Sequence, residues 1–227
     1  EGERIFAMTD SDIFTLQGSL NLGNGLVNKV DYFLTSSDYS LTEQHAEEHG
    51  EEHHDDHETM DEDEDHDEHE GHSEEPTIFT NDATEFGMIL DLSNDKRTQK
   101  ISMNFAEEEM EIVGEEAFMR PTTSEEFTIG YFMSQDLGTM HLDLGIRFDD
   151  ITRDGSVAEM HHDDDHETMD EDDHEGEVEI EEYGLNYSTT NYALQVSQDL
   201  TNNLSLVLSA TSAERAPGAQ ELFMNGP

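Results

Sequence analysis

Histidine and carboxylate side chains are concentrated in two tracts of this chain. The first runs from His45 to His72 and the second from His161 to Glu175, and nine residues are identical in the two copies, Asp55 to Asp63 and Asp164 to Asp172. Imidazole nitrogens and carboxylate oxygens suit a borderline divalent ion such as zinc, and the sequence has no cysteine thiolate to compete with them. We therefore predict that twelve of the 13 histidines are metal ligands: His45, His49, His53, His54, His57, His66, His69, His72, His161, His162, His166 and His174.

The spacing of these residues does not define a closed metal site. His57-Glu58 is not followed by the second histidine of an HExxH motif, and no calcium loop of the DxDxDG type is present. Such redundancy favours many weak, exchanging ligands, and dense like charge predicts disordered loops that become ordered only with a cation. The alternative is a low-complexity acidic loop that only keeps the surface hydrated.

Composition excludes several classes of protein. The formal net charge is −49, from 58 acidic and 9 basic residues, so a nucleic-acid partner is excluded. No arrangement of a nucleophile beside a base is visible, and we predict neither enzymatic activity nor a covalent cofactor. No apolar run reaches the 18 residues that a transmembrane helix requires.

Outside the tracts, hydrophobicity alternates with a period of two. The clearest segment is Met140 to Phe148, where apolar residues alternate with His141, Asp143, Gly145 and Arg147. Eight such segments predict an all-β, antiparallel up-and-down meander with alternating short and long connections. The long loops are placed at about residues 38–77 and 150–182, and a change of parity predicts a bulge or a loop near Ser188 to Thr190.

The two faces of the predicted strands favour different surroundings, because one is apolar and the other is charged. One face is continuously apolar, no helices are available to cover it, and the other face carries Lys100, Glu126, Asp143 and Arg147. Lipid outside and water inside satisfy both faces, which predicts a transmembrane β-barrel. Aromatic residues near strand ends would form its interfacial girdle: Phe14, Phe127, Phe148 and Tyr192. A soluble acidic β-sandwich with one buried face remains the alternative.

Several loop and turn segments resemble those of TonB-dependent outer-membrane receptors. The segment Glu214 to Pro227, ERAPGAQELFMNGP, resembles their ERAPSxxELYxNGPH stretch. Gly114 to Phe118, followed by Pro121-Thr122, is similar to their GEEAFLPPT stretch, and Leu144 to Asp149 to their LxxGxRYD strand end. Ser37-Asp38-Tyr39 and Thr77 to Asp82 also match, on either side of the first tract. The resemblance covers nearly the whole chain apart from the tracts.

This resemblance implies part of a 22-stranded barrel in the outer membrane of a Gram-negative bacterium. Residues 1–227 would supply about eight of its strands, with the plug domain absent, and the TonB complex would act through that missing plug. The long loops would be extracellular, and His/Asp/Glu-rich loops are typical of the zinc-uptake branch. The expected partners are therefore a divalent metal ion, outer-membrane lipid and TonB, and zinc is expected as a transported ligand.

Inner-facing groups would then pass the ion onward, and His141, Asp143, Glu126 and Asp149 are the candidates. His141 could equally be a plain polar residue of the barrel wall. Two other functions remain open. One is a TonB-dependent receptor for a siderophore or haem with merely acidic loops, and the other is a soluble, acidic, metal-binding surface β-protein.

Overall fold

Eight antiparallel strands form a single sheet in sequence order. The computed structural model describes residues 5–23, 25–45, 75–114, 117–160 and 178–224. The strands are β1 (Ile5–Asn21), β2 (Lys29–His45), β3 (Thr77–Asp91), β4 (Arg97–Val113), β5 (Thr122–Asp136), β6 (Met140–Met160), β7 (Val178–Thr201) and β8 (Leu204–Ser212), and one short helix follows, α1 (Ala219–Phe223). Within the described part of the chain, no helix is long and apolar enough to cross a membrane.

The predicted meander of eight strands is confirmed, and so is the alternation of its connections. Short turns follow β1, β3, β5 and β7, and Gly23 and Gly138 take positive φ values of 81° and 80° in two of them. The longer connections follow β2, β4 and β6 at the opposite end of the sheet. The sheet is open, with β1 and β8 at its edges.

We call the face of the sheet that α1 covers the inner face, and the opposite face the outer face. Towards the short turns the outer face carries a band of exposed apolar side chains: Leu16 is 50% exposed and Ile146 is 45% exposed. Register places the following residues in the band: Leu16, Leu20, Val30, Leu34, Met88, Leu90, Ile101, Met103, Ile129, Met133, Leu142, Leu144, Ile146, Leu194, Val196, Leu206 and Leu208.

Aromatic residues end the band on the side of the long connections. Phe86 lies directly opposite Phe105, and Phe105 lies directly opposite Phe127, so three rings line up across neighbouring strands. We call these three residues the aromatic row. On β6, Phe148 lies two residues from Asp150, the register partner of Phe127, and on β7, Tyr192 lies four residues from Ser188, the partner of Asp150. The four residues predicted to form a girdle therefore all lie at this end of the band.

Beyond the aromatic row, towards the long connections, the two faces exchange polarity. On the outer face, Asp12, Asp38, Asp82 and Glu109 pair directly with one another across β1 to β4, and all four are exposed. On the inner face, apolar side chains pack beneath α1: Phe79, Met110, Ile112, Val157 and Leu185. Below the row, on the side of the short turns, the outer face is apolar and the inner face is polar. Above the row, on the side of the long connections, the outer face is polar and the inner face is apolar.

This exchange corrects two predictions. No bulge occurs at Ser188 to Thr190, because β7 keeps continuous register with β6 from Val178 to Gln198. Leu185 changes parity relative to Leu194 because it faces the inner cluster, whereas Leu194 belongs to the outer band. The strands also extend into the segments predicted as loops, since β2 reaches His45 and β6 reaches Met160. They are 9 to 24 residues long.

Candidate functional site

The predicted histidine ligands lie at and beyond the ends of two long hairpins. The backbone of His45 ends β2 and pairs with Ile5. The other eleven predicted ligands lie outside the described residues, in the connections between β2 and β3 and between β6 and β7. The twelve-histidine assignment therefore stays a prediction.

Both hairpins extend far beyond the apolar band. Met160 lies twelve residues beyond Phe148 on β6, which is about 40 Å along the strand at about 3.3 Å per residue. His45 lies eleven residues beyond Leu34 on β2, which is about 36 Å by the same rise. The last described residues of β2 and β6 thus lie well away from the band.

His141 is held between two carboxylates near the short-turn end of the inner face. Its Nδ1 lies 2.6 Å from Asp136 Oδ1 and its Nε2 lies 3.0 Å from Asp143 Oδ1, with Ser134 Oγ 3.1 Å from the same nitrogen. Through these contacts His141 forms a polar link between β5 and β6.

Asp149 is the most sequestered carboxylate on the inner face, with 1% of its surface exposed. It accepts hydrogen bonds from Thr128 Oγ1 at 2.7 Å, Arg147 Nε at 2.8 Å, Thr189 Oγ1 at 2.9 Å and Asn191 Nδ2 at 3.1 Å. These donors come from β5, β6 and β7. The carboxylate ties three strands together and has little capacity left for a metal ion.

Glu126, the remaining candidate for passing an ion inward, forms an ion pair with Arg153. Arg153 is buried and also donates from Nη1 to the carbonyl of Thr152 at 3.3 Å. Within the described residues, no group of three or more histidine and carboxylate side chains is arranged to hold a metal ion. Each of the four inner-face groups named from the sequence is therefore engaged with a neighbouring protein group.

Residues 213–224, which include α1, fold back over the inner face, and we call them the strap. Arg215 donates from Nη1 and Nη2 to the two carboxylate oxygens of Glu221, at 2.7 and 3.0 Å, and the Gly218 amide donates to Glu221 Oε2 at 2.8 Å. The guanidinium and this amide lower the pKa of Glu221 to about 2. The pair is exposed, so it shapes the strap more than it stabilises the whole sheet.

Phe223 anchors the strap to the sheet. It is 1% exposed, and its ring lies against Gly155 of β6, where an added Cβ would come within 2.7 Å of Phe223 Cδ2. Met119, in the connection between β4 and β5, is also 1% exposed and forms an antiparallel bridge with Met224. With Ile112 and Ala219, these residues form the buried cluster above the aromatic row.

Sequence reasoning selected the ERAPGAQELF segment by its resemblance to a family, not by its contacts. In the structure, Glu214, Arg215, Gly218, Glu221 and Phe223 all take part in folding the strap. The pairing of an acid and a base six residues apart was a visible signal for a local turn. Nothing in the sequence indicated Gly155 or Met119 as partners of this segment.

The fold is similar to that of a known import receptor. No protein-family model and no curated protein matches the sequence. The structure is similar to the open form of the ferric-catecholate import receptor Fiu from Escherichia coli K12, with a TM-score of 0.56 and 10% sequence identity over 93% of this chain. The chain spans 36% of that receptor's length. At this identity the likeness shows the fold alone: an antiparallel meander of the kind found in an import receptor.

Proposed function

We propose that this chain is part of an outer-membrane receptor that imports a divalent metal ion, with zinc as its cargo. The observation that carries the proposal is the exchange of polarity at the aromatic row. Below the row, exposed apolar side chains face outward and polar groups face inward, as lipid outside and water inside require. Above the row, carboxylates face outward and an apolar cluster lies inside, as in a protein surrounded by water.

A soluble β-sandwich does not account for this exchange. Its strands would keep one face apolar along their whole length, because the same face packs against the second sheet. Here Leu194 and Leu185, nine residues apart on β7, point to opposite faces. A boundary between two solvents at the aromatic row explains the change, and aromatic side chains are favoured at such a boundary.

The likeness to the import receptor supports an uptake function, and the resemblance of the loop segments extends it to the TonB-dependent class. In this proposal, a plug domain outside the 227 residues couples the barrel to TonB. The long connections face the outside of the cell, and the short turns face the periplasm.

The two tracts supply the argument for a metal ion. Their many carboxylates create a negative field that concentrates cations, and twelve imidazoles favour zinc over calcium, which prefers oxygen ligands. Strands β2 and β6 extend about 36 and 40 Å along their length beyond the band, which supports a capture step in the external medium. We take the passage through the barrel to use groups outside the described inner-face clusters, since those groups are already paired.

A second candidate is uptake of an iron chelate, because the similar structure is that of a ferric-catecholate import receptor. In that case the tracts would be hydrated acidic loops without a role in capture. The two proposals differ in what the tract histidines do, which makes them separable by experiment.

The deciding experiment changes all twelve tract histidines to Ala in the full-length receptor. We expect uptake of radioactive zinc at scarce zinc to fall severalfold, while the amount of assembled barrel in the outer membrane is unchanged. Replacing His141 alone is the matched control, since its ring nitrogens face Asp136 and Asp143. Unchanged zinc uptake in the twelve-fold variant would refute capture by the tracts.

Calorimetric titration of the full-length receptor in detergent separates the ions. Zinc should bind more tightly than calcium, and the twelve-fold variant should lose the zinc signal. Uptake of a ferric catecholate by the unaltered receptor, with no uptake of zinc, would establish the second candidate instead.

A further inference from the structure

The strap is tied to the sheet at both of its ends. At its start, the Glu214 amide donates to Asn191 Oδ1 at 2.7 Å, and the Thr190 amide donates to Glu214 Oε2 at 3.1 Å. At its far end, Met224 bridges to Met119 in the connection between β4 and β5. A lid swings about one attached end, whereas this segment is attached at two, on β7 and beyond β4.

Between the two ties, the strap is packed against the sheet. Phe223 and Ala219 are buried, and they belong to one cluster with Ile112 and Met119. Gly155 provides the space for the Phe223 ring, and Val157 and Leu185 pack around the same cluster. The strap thereby joins side chains from β4, β6 and β7.

The conformation of the strap itself is also constrained. The double hydrogen bond from Arg215 to Glu221 and the Gly218 amide close its turn. Pro217 lies inside this turn and restricts the backbone further. A segment with its own internal bonds moves as a unit, so opening would require both ties and the Phe223 contact to break together.

We propose that residues 213–224 form a fixed brace across the inner face and are not a moving lid. The brace stays in contact with the sheet while cargo passes. The proposal rests on the proposed uptake function only for the identity of the cargo. The brace holds the connection between β4 and β5 against β7 and so sets the shape of the sheet at its long-connection end.

Thiol labelling of the full-length receptor in cells tests the brace. The 227 residues contain no cysteine, so a thiol introduced at the buried Ala219 or at its exposed neighbour Gln220 is the single thiol of this part of the receptor. Ala219→Cys should react about 100-fold more slowly than Gln220→Cys, because a buried thiol reacts only when the segment opens. This ratio should be the same with and without zinc in energised cells.

Equal labelling of the two variants would overturn the brace, and so would a rise in Ala219→Cys labelling when zinc is supplied. A second variant, Met119→Cys/Met224→Cys, joins the far tie covalently, since bridge partners lie within the Cα range of a disulfide. Uptake by the oxidised form should match that of the reduced form. Uptake that is lost on oxidation and restored by a reductant would show a lid.

Failure of the proposed function gives a different pattern. If the unaltered receptor takes up no zinc, the zinc assignment fails, and the labelling ratio without zinc still decides whether the strap is clasped.

Discussion

The ring of Phe223 occupies the space that Gly155 leaves open on the inner face of β6, with an added Cβ only 2.7 Å from Phe223 Cδ2. Gly155→Ala should therefore displace the ring and destabilise the receptor by about 1–3 kcal/mol, the usual cost of overpacking. Urea unfolding of the receptor in detergent measures this change. Gly145→Ala is the matched control, because nothing lies within 4 Å of its added Cβ on the same face of β6. Equal effects of the two substitutions would show that the contact with Phe223 is unimportant.

The cluster above the aromatic row predicts a sharp contrast between two adjacent residues of β4. Ile112 is 9% exposed and faces the inner cluster, whereas Val113 is 53% exposed and faces outward. Ile112→Ala should cost about 2 kcal/mol or more through lost burial and the resulting cavity. Val113→Ala should change the free energy of unfolding by less than about 0.5 kcal/mol. If Val113→Ala is the more damaging change, the inner and outer faces are assigned the wrong way round.

Asp149 and Asp150 offer a similar comparison on β6. Asp149→Ala removes the shared acceptor of Thr128, Arg147, Thr189 and Asn191, which should cost about 3 kcal/mol because the buried Thr189 and three less buried donors lose their partner together. Asp150 is exposed on the outer face, so Asp150→Ala should be nearly neutral. Neither change should alter zinc affinity. A selective loss of zinc binding in Asp149→Ala would show that this carboxylate takes part in transport.

Acid should loosen the strap through Glu221. Its pKa is lowered from 4.5 to about 2 in the folded chain, so the stabilisation from its bonds is fully present above about pH 4.5 and is lost as the pH falls towards 2. A spin label on Gln220→Cys should become more mobile across this window. With Glu221→Gln in the same background, the label should be mobile at every pH. If both proteins show the same pH profile, other groups control the strap.

The order of the strands was predictable from the sequence because the apolar band keeps a strict period of two, as Leu142 to Phe148 illustrate. The ends of the strands were not predictable in the same way. At Asp150 the outer face of β6 becomes polar, so the alternation of apolar and polar residues that predicts the strand ends there, although β6 continues to Met160. A chain that crosses from one solvent to another reverses its pattern, and the reversal resembles a strand end or, at Leu185, a bulge.

The tracts were recognisable from residue types alone, since histidines beside carboxylates have a known ligand chemistry. The strap was recognisable only by resemblance. Gly155 and Phe223 are distant in sequence, and neither a glycine in a strand nor a phenylalanine after a turn specifies its partner. The hydrogen-bond partners of the inner-face carboxylates were not predictable for the same reason, because the donors to Asp149 come from three different strands.

The central claim is that the apolar band contacts lipid and that the contact ends at the aromatic row. Spin labels placed one at a time on outer-face positions of β6 test it, in the full-length receptor in a bilayer. Labels at Leu144 and Ile146 should be relaxed by oxygen, and labels at Asp150 and Asp154 by a water-soluble nickel chelate. If the nickel chelate reaches all four positions equally, the band faces water and the account is contradicted.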